Sequence, residues 1–187
     1  MRSLNPFIER DLEKKFVFLS GPRQVGKTHL AKSLLSKSGG KYYNWDSAED
    51  REAILAKSFL QDKRIVLDEL HKYQNWKNFL KGLYDKSHVE LKVLVTGSAR
   101  LDIYRKGGDS LLGRYFHFHL HPLTLGELLR PDRIPKPEEI IADISESSTT
   151  STMETLLQLG GFPEPFFAGT EEAHNRWSLQ RRELLVR

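Results

Sequence analysis

The sequence predicts an α/β fold in which a parallel sheet of about five strands is flanked by helices and followed by a short C-terminal helical segment. Short apolar runs such as Phe16–Leu19 and Val93–Val95 are typical of strands that are buried on both faces of a parallel sheet. The segments between these runs carry apolar residues at helical spacing, as over residues 76–84. Strands that alternate with such helices favour a layered α/β domain.

A glycine-rich stretch follows the first apolar run and reads G-x-x-x-x-G-K-T from Gly21 to Thr28. A strand, a glycine loop and a helix in this order form the phosphate-binding loop of the P-loop NTPases, with backbone N–H groups directed at phosphate oxygens. Lys27 is then expected to reach the β- and γ-phosphates, and Thr28 to ligate magnesium. The predicted nucleotide-binding residues are Gly21, Pro22, Arg23, Gln24, Val25, Gly26, Lys27, Thr28 and His29.

A second apolar run, Arg64–Leu67, ends in the acidic pair Asp68 and Glu69. A carboxylate pair at the end of a buried strand needs a cation or water to face, because a buried unpaired charge is costly. Downstream of a phosphate loop this is the Walker B pattern, which assigns Asp68 to the magnesium shell and Glu69 to the general base for water. The plainer alternative is that the pair only marks the end of a strand.

Polar residues also end two further predicted strands, over residues 41–46 and 91–98. Ligands in open α/β sheets bind at the carboxyl ends of the strands, so we expect Thr96 and Ser98 to face the γ-phosphate and its water. In the leading segment, Phe7 and Ile8 either pack under the sheet or line an adenine pocket.

A last predicted strand near residues 115–120 alternates apolar residues with His117, His119 and His121. Histidines at this spacing share one strand face and can hold zinc. The alternative is an amphipathic edge strand with its imidazoles turned outward.

Composition limits the classes of protein that remain. The 187 residues have a net charge of +4 and include no cysteine, which excludes disulfides and thiolate metal sites. There is no apolar run of membrane-spanning length and no apolar signal core at the N-terminus, so we expect a cytoplasmic protein without a membrane partner. The mildly basic charge permits nucleic-acid binding without requiring it.

Domain organisation follows from a Ser/Thr-rich tract, Ser145–Ser151, which reads as a linker. We expect a nucleotide-binding core over residues 1–144 and a helical segment over residues 145–187. Ser151 and Glu154 have the spacing of a capping box that opens the first helix after the linker. The chain ends at Arg187 in a helical pattern without a stop signal, which indicates the start of a longer C-terminal region.

Several stretches together resemble the AAA+ ATPases, and more narrowly the prokaryotic ATP-binding proteins that join such a domain to a C-terminal domain of unknown function. These stretches are Gly21–Thr28, Leu67–Lys72, Val95–Arg100, Leu112–Tyr115, His121–Leu123, Gly126–Leu128 and Gly160–Pro165. The resemblance covers most of the chain and implies a strand inserted between the Walker A and Walker B strands. Members of that group continue well beyond the length of this chain.

The resemblance also implies roles for particular residues around the nucleotide. It assigns a sensor role to Ser98, with Thr96 as second choice, and makes Asn44 a restraint on Glu69. It makes Arg114 the leading candidate for an arginine finger that acts on a neighbour's ATP, which implies a homo-oligomer. Arg100 is the second candidate for the finger, and a surface salt bridge is the alternative for either arginine.

The function these patterns favour is magnesium-dependent hydrolysis of ATP to ADP and phosphate, coupled to a conformational change. The alternative is a nucleotide-dependent binding switch with little turnover, with nucleic acid among its conceivable targets. A small-molecule kinase is disfavoured, because Glu69 beside Asp68 would activate water and waste ATP. The predicted ligands are ATP or ADP and Mg²⁺.

Overall fold

The computed structural model of the chain describes residues 2–87, 89–97, 111–130 and 147–186. The chain forms two compact units, one of Asn5–Leu120 and one of Met1–Leu4 together with His121–Arg187. The predicted domain boundary at residue 144 lies outside the described residues and stays a prediction. The two units are described separately.

The larger unit is built from five strands, four helices and one 3-10 turn in its described residues. The strands are β1 (Phe16–Ser20), β2 (Lys41–Asn44), β3 (Arg64–Asp68), β4 (Lys92–Thr96) and β5 (Tyr115–His119). The helices are α1 (Asn5–Leu12), α2 (Lys27–Ser38), α3 (Ala48–Ala56) and α4 (Trp76–Ser87), and the 3-10 turn is Leu70–Lys72.

The five strands form one sheet in the order β2-β3-β4-β1-β5. Every pairing in it is parallel, and the register places Asn44 opposite Asp68 and Ser20 opposite His119. The predicted fold class is therefore confirmed, as is the strand inserted between Walker A and Walker B, since β4 lies between β1 and β3. Because all strands run the same way, their carboxyl ends share one edge of the sheet.

One layer of the core of the larger unit lies where the central strands meet α4. Trp76, Leu80 and Leu83 are the buried residues of α4, as its helical stripe predicts. On β1, the Phe18 ring stacks on Tyr115 at 4.5 Å between centroids and meets Trp76 edge-on at 6.0 Å. Burial of each such side chain contributes about 1.5–3 kcal/mol to the free energy of folding. This packing stabilises the sheet that carries the loops at its strand ends.

The smaller unit is helical among its described residues, with α5 (Leu125–Leu129), α6 (Ser147–Leu159), α7 (Pro163–Ala168) and α8 (Glu171–Val186). Its N-terminal arm is held by Glu127, whose carboxylate pairs with the Arg2 guanidinium at 3.0 Å and accepts from the Ser3 N–H at 2.9 Å. The Leu123 N–H donates to the Gly161 carbonyl at 2.6 Å. A Cβ on Gly161 would lie 2.3 Å from the Leu123 carbonyl oxygen, so this approach requires glycine.

The predicted linker is partly wrong, because α6 begins at Ser147 and not at the capping box around Ser151. Serine and threonine disfavour helix interiors only weakly, so packing overrides their preference. Thr149, near the start of α6, is 1% exposed. The Ser/Thr-rich tract therefore contributes to a helix from residue 147 onward.

Candidate functional site

The loop between β1 and α2 adopts the backbone conformation that its glycines predict. Gly21, Gln24 and Gly26 have φ values of 155°, 64° and 98°. A Cβ on Gly21 would lie 2.5 Å from the Leu120 carbonyl oxygen, so no other residue fits there. Gln24 is a non-glycine residue in the left-handed region, where backbone strain often marks a functional loop. The loop leads directly into α2, and the positive end of that helix dipole favours an anion.

Lys27 lies on the inside of this loop. Its side chain is buried, and its Nζ donates to the carbonyl oxygens of Gly21 at 3.0 Å and Pro22 at 2.8 Å. Burial lowers the pKa of the Lys27 ammonium, and the carboxylates of Glu69 and Asp68 oppose that shift. The loop thus holds a cation near the carboxylates that end β3.

Asp68 is the centre of the site's hydrogen bonds. It is 3% exposed, and its carboxylate accepts from Thr28 Oγ1 at 2.7 Å, from the Tyr42 hydroxyl at 2.5 Å and from Thr96 Oγ1. The Glu69 N–H adds a fourth donor at 3.1 Å. The structure therefore brings Thr28 and Asp68, the two predicted magnesium ligands, into direct contact.

These residues fit a magnesium ion by their chemistry. Mg²⁺ prefers oxygen ligands and binds through one or two protein groups plus phosphate oxygens and water. A hydroxyl and a carboxylate 2.7 Å apart beside a phosphate-type loop supply that donor set. A cation would also offset the cost of burying the charge of the Asp68 carboxylate.

Tyr42 is a site residue that sequence reasoning missed. Burial and the Asp68 carboxylate raise the pKa of its hydroxyl, which stays protonated and donates to Asp68. Tyr42 and Asn44 are two residues apart on β2, so they share a face of the sheet. The two-residue spacing between Tyr42 and Asn44 was the signal in the sequence that could have included Tyr42 in the site. The contact of Tyr42 with Asp68 depends in addition on the pairing of β2 with β3.

Glu69 leaves the strand in a left-handed conformation, with φ 58° and ψ 19°. Its Oε2 lies 3.5 Å from Lys72 Nζ and 3.7 Å from His71 Nε2. Lys72 also pairs with Asp46 at 2.5 Å, and this hydrogen bond is the main cause that raises the pKa of Lys72. The predicted general base therefore lies beside Asp68, is paired with the Lys72 ammonium and lies near the His71 imidazole of the following turn.

Asn44 makes a different contact from the predicted one. Its Oδ1 accepts from the Asp46 N–H at 3.1 Å, and its own N–H donates to Asp50 Oδ2 at 2.8 Å. Among the described residues its side chain forms no hydrogen bond with Glu69, so the restraint on Glu69 stays a prediction.

The predicted sensor Ser98 and the second arginine, Arg100, lie outside the described residues. Thr96, the second choice for the sensor, contacts Asp68.

Arg114, the predicted arginine finger, forms an ion pair within its own chain. Its Nε donates to Asp85 Oδ1 at 2.7 Å, and this hydrogen bond is the main cause that raises the pKa of Arg114. This ion pair matches the salt-bridge alternative. Because both side chains are partly exposed, the pair contributes little to the stability of the fold. A role for Arg114 on a neighbouring subunit stays a proposal.

The histidine strand β5 is an edge strand, and His117 and His119 are exposed. Ser20 Oγ lies 2.7 Å from His117 Nε2 and 3.1 Å from His119 Nδ1. No group of three metal-binding side chains occurs in the described part of the chain. These contacts favour the edge-strand interpretation.

In the leading helix, Ile8 is fully buried and Phe7 lies under the Arg10 guanidinium at 5.5 Å.

A parallel sheet with an inserted strand, a glycine loop holding a buried lysine, and a paired Asp-Glu strand end define an AAA-type P-loop NTPase fold. The sequence profile of a family described as an AAA domain matches residues 13–129. The chain therefore belongs to the AAA domain family.

The curated relatives are longer than this chain. An uncharacterized protein of Methanocaldococcus jannaschii is 24% identical over 174 residues, covering 84% of this chain and 38% of the relative. An uncharacterized protein of Mycobacterium tuberculosis is 28% identical over 167 residues, covering 86% of this chain and 33% of the relative. The chain thus spans about a third of the length of these relatives.

Among solved structures, the Orc1 protein of Aeropyrum pernix, determined in complex with DNA, is similar over 68% of this chain and 44% of its own. Its TM-score is 0.45 at 15% sequence identity.

Across the described residues, no helix combines the length and apolar content needed to cross a bilayer.

Proposed function

We propose that this chain binds ATP with Mg²⁺ and hydrolyses it to ADP and phosphate. The observation that carries the proposal is the convergence of the loop and strand motifs: Thr28 contacts Asp68 at 2.7 Å, and Glu69 follows at the same strand end. Lys27, inside the loop, supplies positive charge for the phosphates. These residues, and not the fold alone, support hydrolysis.

In the proposed reaction the oxygen of a water molecule forms a bond to the γ-phosphorus, and the bond to the β,γ-bridging oxygen breaks. Glu69 takes the proton of that water, and the bridging oxygen leaves on ADP. Thr28 and Asp68 would hold Mg²⁺, which supplies charge neutralisation for the phosphate oxygens when bound. Lys27 and the N–H groups of the loop orient the phosphates for the attack.

The test is phosphate release by the purified chain over many turnovers, with ATP and Mg²⁺ present. We expect more than one phosphate per chain, and we expect loss of release when EDTA removes divalent cations, because Asp68 and Thr28 then lack the ion that joins them to ATP. Calorimetry on the same sample measures ATP binding. Binding without repeated release would support the nucleotide-dependent switch, and absence of both would contradict the proposed function.

We also propose that Arg114 acts on ATP held by a second copy of the chain in a homo-oligomer. A cation placed at a transferring phosphoryl group stabilises its developing charge. We expect a mixture of Arg114→Ala and Lys27→Ala chains to release phosphate faster than the two separate variants combined. The first variant keeps an intact phosphate loop and Glu69, and the second supplies the arginine.

Asp85→Asn is the matched control for this mixture, because it removes one ion-pair partner of Arg114 and keeps the arginine. This variant should release phosphate at the wild-type rate, because it keeps the phosphate loop, Glu69 and Arg114. If the mixture of Arg114→Ala and Lys27→Ala only equals the sum of its parts, Arg114 has no role in trans.

A further inference from the structure

Three charged side chains form a line between the end of β2 and the turn after β3. Lys72 Nζ lies 2.5 Å from Asp46 Oδ2 and 3.5 Å from Glu69 Oε2. Asp46 is thus the closer partner, and its carboxylate accepts a charge-assisted hydrogen bond from the ammonium. The ammonium in turn lies within ion-pair distance of the carboxylate that is proposed to take the proton from water.

Lys72 and His71 both lie near one oxygen of the Glu69 carboxylate. Lys72 Nζ and His71 Nε2 each approach Oε2, at 3.5 and 3.7 Å. These contacts restrict the orientation of the Glu69 carboxylate, and a general base must be oriented toward the proton that it takes.

The backbone around this line of charges is also well supported. Glu69 has a positive φ of 58°, and its N–H donates to the Thr96 carbonyl at 3.1 Å. The Lys72 N–H donates to the Glu69 carbonyl at 3.0 Å, which closes the turn. Next to it, the Trp45 ring stacks on Tyr73 with centroids 4.7 Å apart, so the residues that flank Asp46 and Lys72 pack together.

We propose that Lys72, anchored by Asp46, is a positioning residue that orients the Glu69 carboxylate toward the attacking water. The inference rests on the proposed ATP hydrolysis and extends it to a residue outside the loop and the strand end. Lys72 lies within ion-pair distance of Glu69, whereas the Asn44 side-chain oxygen accepts from the Asp46 N–H. Partly exposed ion pairs add little stability, so the expected effect is on turnover and not on folding.

The test compares Lys72→Met with Lys81→Met, a control at an exposed lysine of α4. We expect Lys72→Met to lower kcat by about tenfold, because a misplaced reacting group can cost up to about a hundredfold in rate. The KM for ATP should change by less than about twofold, since the phosphate loop is intact. Lys72→Arg should recover part of kcat, and Lys81→Met should match wild type.

Two further variants separate positioning from other roles of Lys72. Asp46→Asn should lower kcat in the same direction but less, and it carries the test if Lys72→Met does not fold. Adding Lys72→Met to Glu69→Gln should cause no further loss, because Lys72 acts through Glu69. An unchanged kcat in Lys72→Met, or a loss that appears only in KM or in thermal stability, would overturn the proposal.

The failure of this inference differs from the failure of the proposed function. If wild type releases phosphate repeatedly and Lys72→Met does so equally fast, only the positioning role is wrong. If wild type binds ATP without repeated release, both proposals are wrong. If the double variant loses activity or ATP affinity beyond Glu69→Gln alone, Lys72 contacts the nucleotide itself and the positioning role is again excluded.

Discussion

Replacement of Lys27 by alanine is expected to weaken ATP binding by roughly 10- to 150-fold, or to abolish it. Hydrogen bonds to charged groups contribute about 1.5–3 kcal/mol each, and Lys27 is the cation that the phosphate loop holds on its inner side. Phosphate release should be lost together with binding. Isothermal calorimetry with ATP and Mg²⁺ measures the affinity, and thermal unfolding checks that the sheet still forms.

The matched control is Lys37→Ala, which removes one positive charge from the last turn of the same helix. Lys37 is exposed and distant in sequence from the loop, so the ATP affinity of this variant should equal that of wild type. The prediction is contradicted if Lys27→Ala and Lys37→Ala bind ATP equally well. In that case the loop would not be a phosphate site, whatever its backbone conformation.

Replacement of Glu69 by glutamine should separate ATP binding from hydrolysis. Glutamine keeps the size of the side chain and removes the proton acceptor, and general bases contribute about a hundredfold to ten-thousandfold in rate. We expect turnover to fall by roughly a hundredfold or more while ATP affinity is retained, since Asp68, Thr28 and Lys27 are intact. Phosphate release and calorimetry on the same preparation report the two quantities.

Glu52→Gln on α3 is the control, because it makes the same chemical change at an exposed position. It should hydrolyse ATP at the wild-type rate. Should wild type and Glu69→Gln turn over equally fast, Glu69 is not the base. A simultaneous loss of binding would instead assign Glu69 to holding the nucleotide or its metal.

Local motifs were predictable because their meaning lies in short spacings along the chain. The residues of the glycine loop are neighbours in sequence, so Gly21, Gly26 and Lys27 specify their own geometry around an anion. The apolar runs likewise predicted buried parallel strands, and the sheet confirms them. The contact between Thr28 and Asp68 joins two such motifs across 40 residues, and it could be predicted only because both motifs are recognisable separately.

Other features of the site depend on which strands pair and in which register. Tyr42 reaches Asp68 because β2 lies next to β3, and Lys72 reaches Asp46 because the turn after β3 passes the end of β2. Neither pairing leaves a spacing signal in the sequence, since the residues are 26 apart in both cases. The Asp85 partner of Arg114 likewise comes from another element of the fold.

By itself the sequence determined the fold class, the phosphate loop and the acidic strand end, because each depends on local periodicity or on a motif of a few residues. Only the tertiary structure decided which side chains surround Glu69 and Asp68, and that the Ser/Thr-rich tract is helical from Ser147. Packing energies between distant segments exceed the weak local preferences of serine and threonine. For the same reason hydrogen-bond partners across strands follow from register and not from sequence proximity.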